Sequence, residues 1–143
     1  MVGDRVLGLG TDIVEISRIS RAVSRHGEAF LGRVYTPREL QYAGDGKGRD
    51  RRLAGRWAGK EAIRKTLGAL LSRVTWKDVE ILPGEAGEPV VNLLGETSSR
   101  VREMGGIRVR VSISHSGDNA VAVALLLGNG CARDEGGSPG HGR

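Results

Sequence analysis

The stretch that decides the fold is IRVRVSISHSGDNAVAVALLL, residues 107–127. Apolar and polar side chains alternate from Ile107 to His115, which is the pattern of a strand with one buried face. The residues SGDN, 116–119, are typical of a turn, and a second apolar segment runs from Ala120 to Leu127. We therefore predict a β-hairpin over residues 107–127.

Outside this hairpin, the chain mixes predicted strands and helices without regular alternation. Further strands are predicted at residues 6–13, 78–82 and 89–94, and helices at residues 15–26, 36–43, 53–71 and 96–104. The helix at 36–43 begins with TPRE, in which Thr36 and Glu39 can form a capping box, and the charged, glycine-rich residues 44–52 are predicted to be an exposed loop. This mixture favours an α+β domain, a small antiparallel sheet with packed helices, over a doubly wound parallel sheet.

The length and composition of the chain fit one small domain. Its 143 residues suffice for a single core, which we expect to span residues 1–128, and we expect the glycine-rich residues 129–143 to be a disordered tail. The single cysteine, Cys131, excludes an intrachain disulfide and a cysteine-based zinc cluster. The sequence contains no run of about 18 apolar residues and no signal-peptide pattern, so we expect a cytoplasmic protein.

The charge of the chain points to an acidic or anionic partner. The formal net charge is +5, and an excess of positive charge attracts polyanions and acidic proteins. Part of this charge lies on the first predicted helix, where arginines spaced three and four apart project from one side: Arg18, Arg21 and Arg25. Nucleic acid, a phosphorylated small molecule and an acidic protein all remain open as partners on this ground alone.

Two carboxylates lie on predicted surfaces of small side chains. On the first strand, Asp12 shares a face with Gly8 and Gly10, which leaves that face free of bulky groups. On the main helix, Glu61 and Lys65 are four residues apart, and nearby alanines let a ligand or another chain approach closely: Ala54, Ala58 and Ala62. Asp12 and Glu61 would suffice for Mg²⁺, which binds one or two carboxylates together with waters and substrate phosphates. The alternative is an ordinary surface ion pair of Glu61 and Lys65.

His115 ends the first strand of the hairpin, on the same face as the apolar residues. A structural histidine is the alternative to a ligand-binding one, and the scarcity of histidines elsewhere, His26 and His141, disfavours a histidine metal site. A serine nucleophile is disfavoured too, because no GxSxG elbow is present. The segment GLGTD, residues 8–12, lacks the lysine of a Walker motif and the full dinucleotide fingerprint.

Three segments of the chain resemble the signatures of one enzyme family, in the same order. They are GTDIVEISRI (10–19), RWAGKEAIRKTLG (56–68) and SISHS (112–116). They are similar to the glycine-x-Asp, Trp/Phe-Ala-Ala-Lys-Glu-Ala-x-x-Lys and Ser-Ile-Ser-His blocks of the bacterial holo-acyl-carrier-protein synthases, the short 4'-phosphopantetheinyl transferases. The resemblance spans residues 3–127. It implies the fold of that family and transfer of the phosphopantetheine arm of coenzyme A to a serine of an apo acyl carrier protein, with release of adenosine 3',5'-bisphosphate.

The resemblance also implies roles for single residues. Asp12 and Glu61 match the magnesium ligands of the family, and Lys65 matches the lysine beside the reacting phosphate of coenzyme A. Positions that line the coenzyme A phosphates or lie near its nucleotide end are matched by Arg56, Lys60 and His115. Positions that meet the acidic carrier protein are matched by Arg18, with Arg21 and Arg25 added by their spacing, and by Phe30 and Arg33 in the following segment.

The family resemblance implies an assembly and leaves two alternatives. The short members are trimers with the active site at the subunit boundary, so we expect a homotrimer that serves fatty acid biosynthesis or a related pathway, without nucleic acid or membrane as partner. One departure is Gly59, where the family has alanine; this glycine lowers the local helix preference by about 0.5–1 kcal/mol. The alternatives are a basic nucleic-acid-binding module, against which the 3% aromatic content argues, and a trimeric scaffold without the chemistry.

Overall fold

The computed structural model describes residues 3–68 and 73–129. In chain order the elements are β1 (Arg5–Glu15), α1 (Ile16–Val34), α2 (Pro37–Ala43), α3 (Arg49–Gly68), a 3₁₀ turn (Trp76–Asp78), β2 (Val79–Pro83), β3 (Pro89–Leu93), α4 (Gly95–Glu103), β4 (Gly106–Ser116) and β5 (Asn119–Gly128). The strands pair antiparallel, in one sheet of order β1-β5-β4 and a second sheet of β2 and β3. The predicted α+β class is confirmed, with two small sheets in place of one.

The predicted hairpin forms two thirds of the main sheet. β4 pairs with β5, and β1 pairs with the other edge of β5. Residues opposite each other in an antiparallel pair share a face, so the pairs Gly10↔Ala124 and Asp12↔Ala122 place Asp12 on the face that carries the alanines of β5. Ala120, Ala122 and Ala124 are buried on that face, where the sheet packs against α3.

α3 approaches this face at short range because the facing residues are small. A Cβ atom built on Gly10 would lie 2.2 Å from the carbonyl oxygen of Ala62 and 2.4 Å from Oγ1 of Thr66. Ala54, Ala58 and Ala62 have no exposed surface. The prediction that these alanines open the helix to a ligand is therefore wrong, because the protein's own packing fills the space that the small side chains leave.

α1 continues past its predicted end near Gly27, with a kink at that residue. Gly27 has φ 49° and ψ −127°, a conformation that glycine adopts without a Cβ clash, and helical structure resumes as far as Val34. The second half is held in place because Leu31 and Val34 are buried in the core. The start of α1 is fixed by Asp118, which accepts from the backbone N–H of Ser17 at 3.0 Å and from its hydroxyl at 2.6 Å.

α3 begins at Arg49, so part of the predicted loop 44–52 is helical. Contacts with distant residues stabilise this first turn. Asp50 accepts a hydrogen bond from the hydroxyl of Ser20 at 2.7 Å, and Arg52 donates through Nε to the carbonyl of Ala43 at 2.9 Å. Composition alone suggested a loop because these partners lie in other helices.

The other predicted strands and helices agree with the structure to within two residues at each end. The predicted end of the main helix at residue 71 lies outside the described residues, as do Cys131 and residues 130–143 of the predicted tail. Over residues 3–68 and 73–129, no helix is long and apolar enough to cross a membrane.

A buried ionic cluster joins α2 and α3 to β2. The predicted capping box of α2 is present: Thr36 Oγ1 accepts from the N–H of Glu39 at 3.2 Å, and Glu39 Oε1 accepts from the N–H of Thr36 at 2.9 Å. The carboxylate of Glu39 also pairs with the ammonium of Lys60 at 2.6 Å, and both side chains are fully buried. Its second oxygen accepts from the N–H of Ile81 at 2.9 Å. These contacts compensate the desolvation of the two charges.

The face of the main sheet that points away from α3 carries an exposed apolar patch on β1 and β5. Leu9, Ile13 and Val123 have 67%, 64% and 42% of their surface accessible. They are neighbours on the sheet, because Val123 pairs with Thr11, which lies between Leu9 and Ile13 on the same face. A contiguous apolar patch of this kind is typical of a surface that another chain covers.

Candidate active site

Asp12 and Lys65 meet where β1 lies against α3. Nζ of Lys65 is 2.8 Å from Oδ1 of Asp12 and 3.1 Å from the carbonyl oxygen of Thr11. The hydrogen bond to Asp12 and the charge of Asp12 raise the pKa of Lys65 above its ordinary value, and the charge of Glu61 adds to the effect. Lys65 is therefore a cation at neutral pH, with 56% of its side chain exposed to solvent.

Glu61 lies one helical turn before Lys65, and two donors hold its carboxylate. Oε1 of Glu61 accepts from the indole N–H of Trp76 and from Nη1 of Arg64, the latter at 2.8 Å. The guanidinium of Arg64 also lies over the ring of Trp76, 4.6 Å from the ring centroid. The side chains of Asp12 and Glu61 keep 15% and 22% of their surface exposed, so a ligand at the protein surface can reach both carboxylates.

The donor chemistry of these two carboxylates fits a magnesium ion. Mg²⁺ binds oxygen ligands, takes one or two protein carboxylates, and completes its octahedron with waters and substrate phosphates. Asp12 offers such oxygens in contact with Lys65, and Glu61 offers them one helical turn before Lys65 on α3. Lys65 neutralises Asp12, so a bound ion and the lysine compete for the same carboxylate.

His115 lies at the other end of α3. Its Nε2 is 3.1 Å from the carbonyl oxygen of Arg51, and a Cβ atom on Gly55 would lie 2.9 Å from the same nitrogen, so the ring packs directly on the helix. An α-helix rises 1.5 Å per residue, which places this contact roughly 10–20 Å along α3 from Glu61 and Lys65. The structure therefore does not bring His115 together with the carboxylates within one chain.

Arg56 is buried beside the same end of the helix, with 6% of its surface exposed. Its guanidinium lies over the ring of Tyr42, 4.1 Å from the centroid, and its Nε donates to the carbonyl of Ile81 at 3.0 Å. Burial lowers the pKa of Arg56 from its ordinary value. Among the described residues, Nη2 of this arginine has no hydrogen-bond partner. Its predicted contact with a coenzyme A phosphate stays a prediction.

The buried position of Lys60 contradicts its predicted contact with the coenzyme A phosphates. The side chain is fully buried, its ammonium pairs with Glu39, and it donates to the carbonyls of Trp76 at 2.8 Å and Val79 at 2.5 Å. Desolvation lowers the pKa of Lys60, and the charge and hydrogen bond of Glu39 oppose that shift. Because no part of this side chain reaches the surface, Lys60 organises the interior and does not line the surface for the coenzyme A phosphates.

The arginines predicted to meet a carrier protein are exposed. They are Arg18, Arg21 and Arg25, which precede the kink of α1, and Arg33, which follows it. Phe30 is half-buried: its ring centroid lies 6.1 Å from that of Tyr35 and 5.9 Å from that of Trp57. The exposed part of this ring is what remains available to a partner, and the docking roles of all five residues stay predictions.

Two side chains that hold Glu61 were absent from the predicted site. Trp76 lies 15 residues after Glu61, beyond the end of α3, so no local pattern connects the two. Arg64 is three residues after Glu61, the spacing at which opposite charges meet on a helix, and this spacing was the available signal.

Comparison with known proteins identifies relatives over nearly the whole described chain. Residues 8–124 match the ACPS family of the 4'-phosphopantetheinyl transferase superfamily. A holo-[acyl-carrier-protein] synthase of Natranaerobius thermophilus is 40% identical over 121 residues, which cover 85% of this chain and 97% of the relative. The corresponding protein of Koribacter versatilis is 38% identical over 122 residues, or 85% of this chain and 98% of the relative.

The solved structures that resemble this chain belong to the same enzyme family as its sequence relatives. The holo-[acyl-carrier-protein] synthase of Neisseria meningitidis superposes with a TM-score of 0.77 at 32% identity, covering 85% of this chain and 98% of that one. The Chronobacterium ammoniagenes enzyme in its complex with coenzyme A gives a TM-score of 0.73 at 34% identity, over 85% of this chain and 96% of that one. The chain therefore belongs to the holo-acyl-carrier-protein synthases of the 4'-phosphopantetheinyl transferase superfamily.

Proposed function

We propose that this chain acts in the cytoplasm, where it transfers the 4'-phosphopantetheine arm of coenzyme A to a serine of an apo acyl carrier protein in a magnesium-dependent reaction that releases adenosine 3',5'-bisphosphate. The observation that carries the proposal is the grouping of Asp12, Glu61 and Lys65 where β1 lies against α3. Catalysis of phosphoryl transfer depends on positioning and on neutralising charge at the phosphate oxygens, and this group offers both a metal-binding pair and a cation.

Relatives support coenzyme A as the donor. Besides the Chronobacterium ammoniagenes complex, the holo-[acyl-carrier-protein] synthase of Helicobacter pylori was solved with coenzyme A, and that of Bacillus anthracis with CoA (3',5'-ADP). The donor and the nucleotide product proposed for this chain are the molecules named for these relatives.

The residues divide the chemistry among them. The serine oxygen of the carrier forms a bond to the phosphorus attached to pantetheine, while the bond from that phosphorus to the bridging oxygen breaks, and the bridging oxygen leaves with adenosine 3',5'-bisphosphate. Glu61 accepts the proton of the serine hydroxyl, and the ammonium of Lys65 stabilises the negative charge on the phosphate oxygens. Asp12 and Glu61 would hold Mg²⁺, which supplies further neutralisation of that charge when bound.

Arg56 and His115 are proposed to receive the nucleotide end of coenzyme A. They lie roughly 10–20 Å along α3 from the transfer site, so an elongated ligand has to span the helix or bridge two chains. The exposed apolar patch of Leu9, Ile13 and Val123 supports an assembly of several chains. We infer a homotrimer in which neighbouring chains complete each site.

Sedimentation of the purified protein tests the assembly. A trimer is expected at micromolar concentration, and Ile13→Lys, which places a charge in the apolar patch, is expected to dissociate it. Val90→Lys is the matched control, because Val90 is also exposed, at 41%, but belongs to the second sheet. A monomeric wild-type protein, or a trimer that survives Ile13→Lys unchanged, would contradict this assembly.

The acceptor is proposed to be an acidic acyl carrier protein of fatty acid biosynthesis or a related pathway. The exposed arginines of α1, Arg33 among them, provide positive charge, and complementary charge steers an acidic partner toward the surface. Phe30 provides an apolar contact beside them. Exposed charges at an interface act mainly on the rate of association, and salt screens them. Added salt is therefore expected to weaken binding of the carrier more than it slows transfer from coenzyme A to a carrier that is already bound.

A mass-shift assay tests the transfer. The protein, coenzyme A and Mg²⁺ are incubated with a panel of apo carriers, and the mass of the phosphopantetheine arm is expected to appear on a carrier. Glu61→Gln and Asp12→Asn are expected to abolish transfer while the proteins stay folded; Glu103→Gln, at an exposed residue of α4, is the matched control. No modification of any carrier would refute the proposal, and near-normal rates in either variant would refute the metal assignment.

The nucleic-acid-binding alternative gains no support from the fold. Base stacking needs presented aromatic faces, and the aromatic rings of this chain pack against one another or under an arginine: Phe30, Tyr35, Trp57 and Trp76 in one group, and Tyr42 beneath Arg56. A salt-sensitive gel shift without any effect of coenzyme A would revive this alternative.

A further inference from the structure

Among the described residues, the carboxylate of Glu61 accepts its side-chain hydrogen bonds at only one of its two oxygens. The indole N–H of Trp76 and Nη1 of Arg64 both donate to Oε1, the second at 2.8 Å. Hydrogen bonds to an ionised acceptor are shorter and stronger than bonds between neutral groups. Two such bonds on one oxygen restrict rotation of the carboxylate and leave Oε2 as the oxygen for a ligand.

Trp76 is itself fixed by contacts around it. Lys60 donates to its backbone carbonyl at 2.8 Å, and its ring centroid lies 5.3 Å from that of Trp57. The guanidinium of Arg64 lies over the indole, 4.6 Å from its centroid, while Nε of the same arginine donates to the carbonyl of Val74 at 2.9 Å. The buried ammonium of Lys60 thus anchors the segment that carries the indole, and the indole in turn has little freedom to leave Glu61.

We propose that Trp76 is a positioning residue for the transfer reaction: its indole N–H fixes Oε1 of Glu61 and keeps Oε2 directed to the magnesium and phosphate beside Asp12 and Lys65. This inference rests on the proposed function. The physical reason is that a metal ligand binds well only when its own partners hold it in the productive orientation, and loss of such a partner typically weakens metal binding 10- to 100-fold.

The two tryptophans of the chain provide a matched pair of variants. Trp76→Phe keeps an aromatic ring for the contacts with Trp57 and Arg64 and removes the N–H that reaches Glu61. Trp57→Phe makes the same chemical change in the same aromatic group without touching that carboxylate. Folding of both proteins is checked by circular dichroism before any comparison.

Two measurements separate positioning from general damage. The first is binding of Mn²⁺ in the presence of coenzyme A and without carrier, followed by the electron paramagnetic resonance signal of the free ion. The second is the Mg²⁺ concentration that half-saturates carrier modification. Trp76→Phe is expected to weaken Mn²⁺ binding about tenfold and to raise the half-saturating Mg²⁺ concentration by a similar factor, with Trp57→Phe close to wild type.

The outcomes distinguish this inference from the proposed function. Normal transfer by the wild type, with equal Mn²⁺ affinity in the Trp76→Phe and Trp57→Phe proteins, would overturn the role of Trp76 and leave the transferase intact. A wild type that neither binds Mn²⁺ nor modifies any carrier would overturn both. Should Trp76→Phe fail to fold, Arg64→Met decides, because methionine has no N–H to donate to Oε1. About tenfold weaker Mn²⁺ binding supports the role of the two donors to Oε1, and unchanged binding overturns it.

Discussion

A single methyl group at residue 10 is expected to push β1 and α3 apart. In Gly10→Ala, the new Cβ would lie 2.2 Å from the carbonyl oxygen of Ala62, whereas ordinary contact begins at 3.4 Å, so the two backbones must separate by about 1.2 Å. Overpacking of a core costs about 1–3 kcal/mol. We expect the upper end, about 3 kcal/mol or a fall of about 10 °C in Tm, because backbone atoms cannot move aside as a side-chain end can.

The same shift should damage the reaction. Asp12 follows Gly10 on β1 and Lys65 follows Ala62 on α3, so the separation acts directly on their 2.8 Å contact. A misplacement of about 1 Å can reduce a rate about 100-fold.

The assays are thermal unfolding followed by circular dichroism and the initial rate of carrier modification. Gly32→Ala on α1 is the control: a Cβ there meets nothing within 4 Å, so helix preference should make it neutral or more stable by up to about 1 kcal/mol. If Gly10→Ala unfolded at the wild-type temperature and kept the wild-type rate, the backbone-contact reasoning would be refuted.

Three further predictions concern charged side chains: the buried Lys60, the helix-capping Asp118, and Asp12 in contact with Lys65. Lys60→Met leaves the carboxylate of Glu39 buried without its cation, so urea unfolding should show a loss of about 3–5 kcal/mol, and a loss below about 1 kcal/mol would count against the buried pair. Asp118→Ala removes the side chain that caps α1, so the free energy of unfolding of the protein should fall by about 1 kcal/mol. Amide hydrogen exchange should also become faster at the start of that helix, and unchanged protection there would contradict the capping role. Asp12 raises the pKa of Lys65 above its ordinary value of 10.5, so the stabilisation from this contact is fully present below that pH and is lost as pH rises through the raised pKa. The unfolding free energies of the wild type and Asp12→Asn should therefore converge in the alkaline range, and a constant difference there would be inconsistent with this contact.

Features fixed by neighbouring residues could be predicted from the sequence. The capping box needs only the local TPRE segment, with Thr36 and Glu39 three residues apart. The β4–β5 hairpin follows from alternation and a turn signal within 21 residues. The grouping of Asp12 with Glu61 and Lys65 was reached through the family resemblance, and the structure places the first and last of these in contact.

Features that depend on distant partners could not be predicted. Lys60 looks like a surface cation within RWAGKEAIRKTLG, yet Glu39, 21 residues earlier, draws it into the core. A row of alanines on one side of a helix is compatible with an open surface and also with a close-packed, buried one. Only the packing of α3 on the sheet shows that this side is buried. Trp76 reaches Glu61 because the chain returns after α3, which no periodicity within either segment indicates.

The contact of α3 with β5 has a consequence for the response of the site to heat. Alanine loses no side-chain rotamers when it is buried, so Ala120, Ala122 and Ala124 pack against α3 without any loss of rotamer entropy. If such a contact loosens, the alanine side chains gain no rotamer entropy. Warming therefore gives little entropic reason for this contact to open before the whole domain unfolds. The packing of α3 on the sheet, which holds Lys65 next to Asp12, should therefore keep its geometry up to the unfolding transition. Longer side chains at the surface of the site should become disordered at lower temperature.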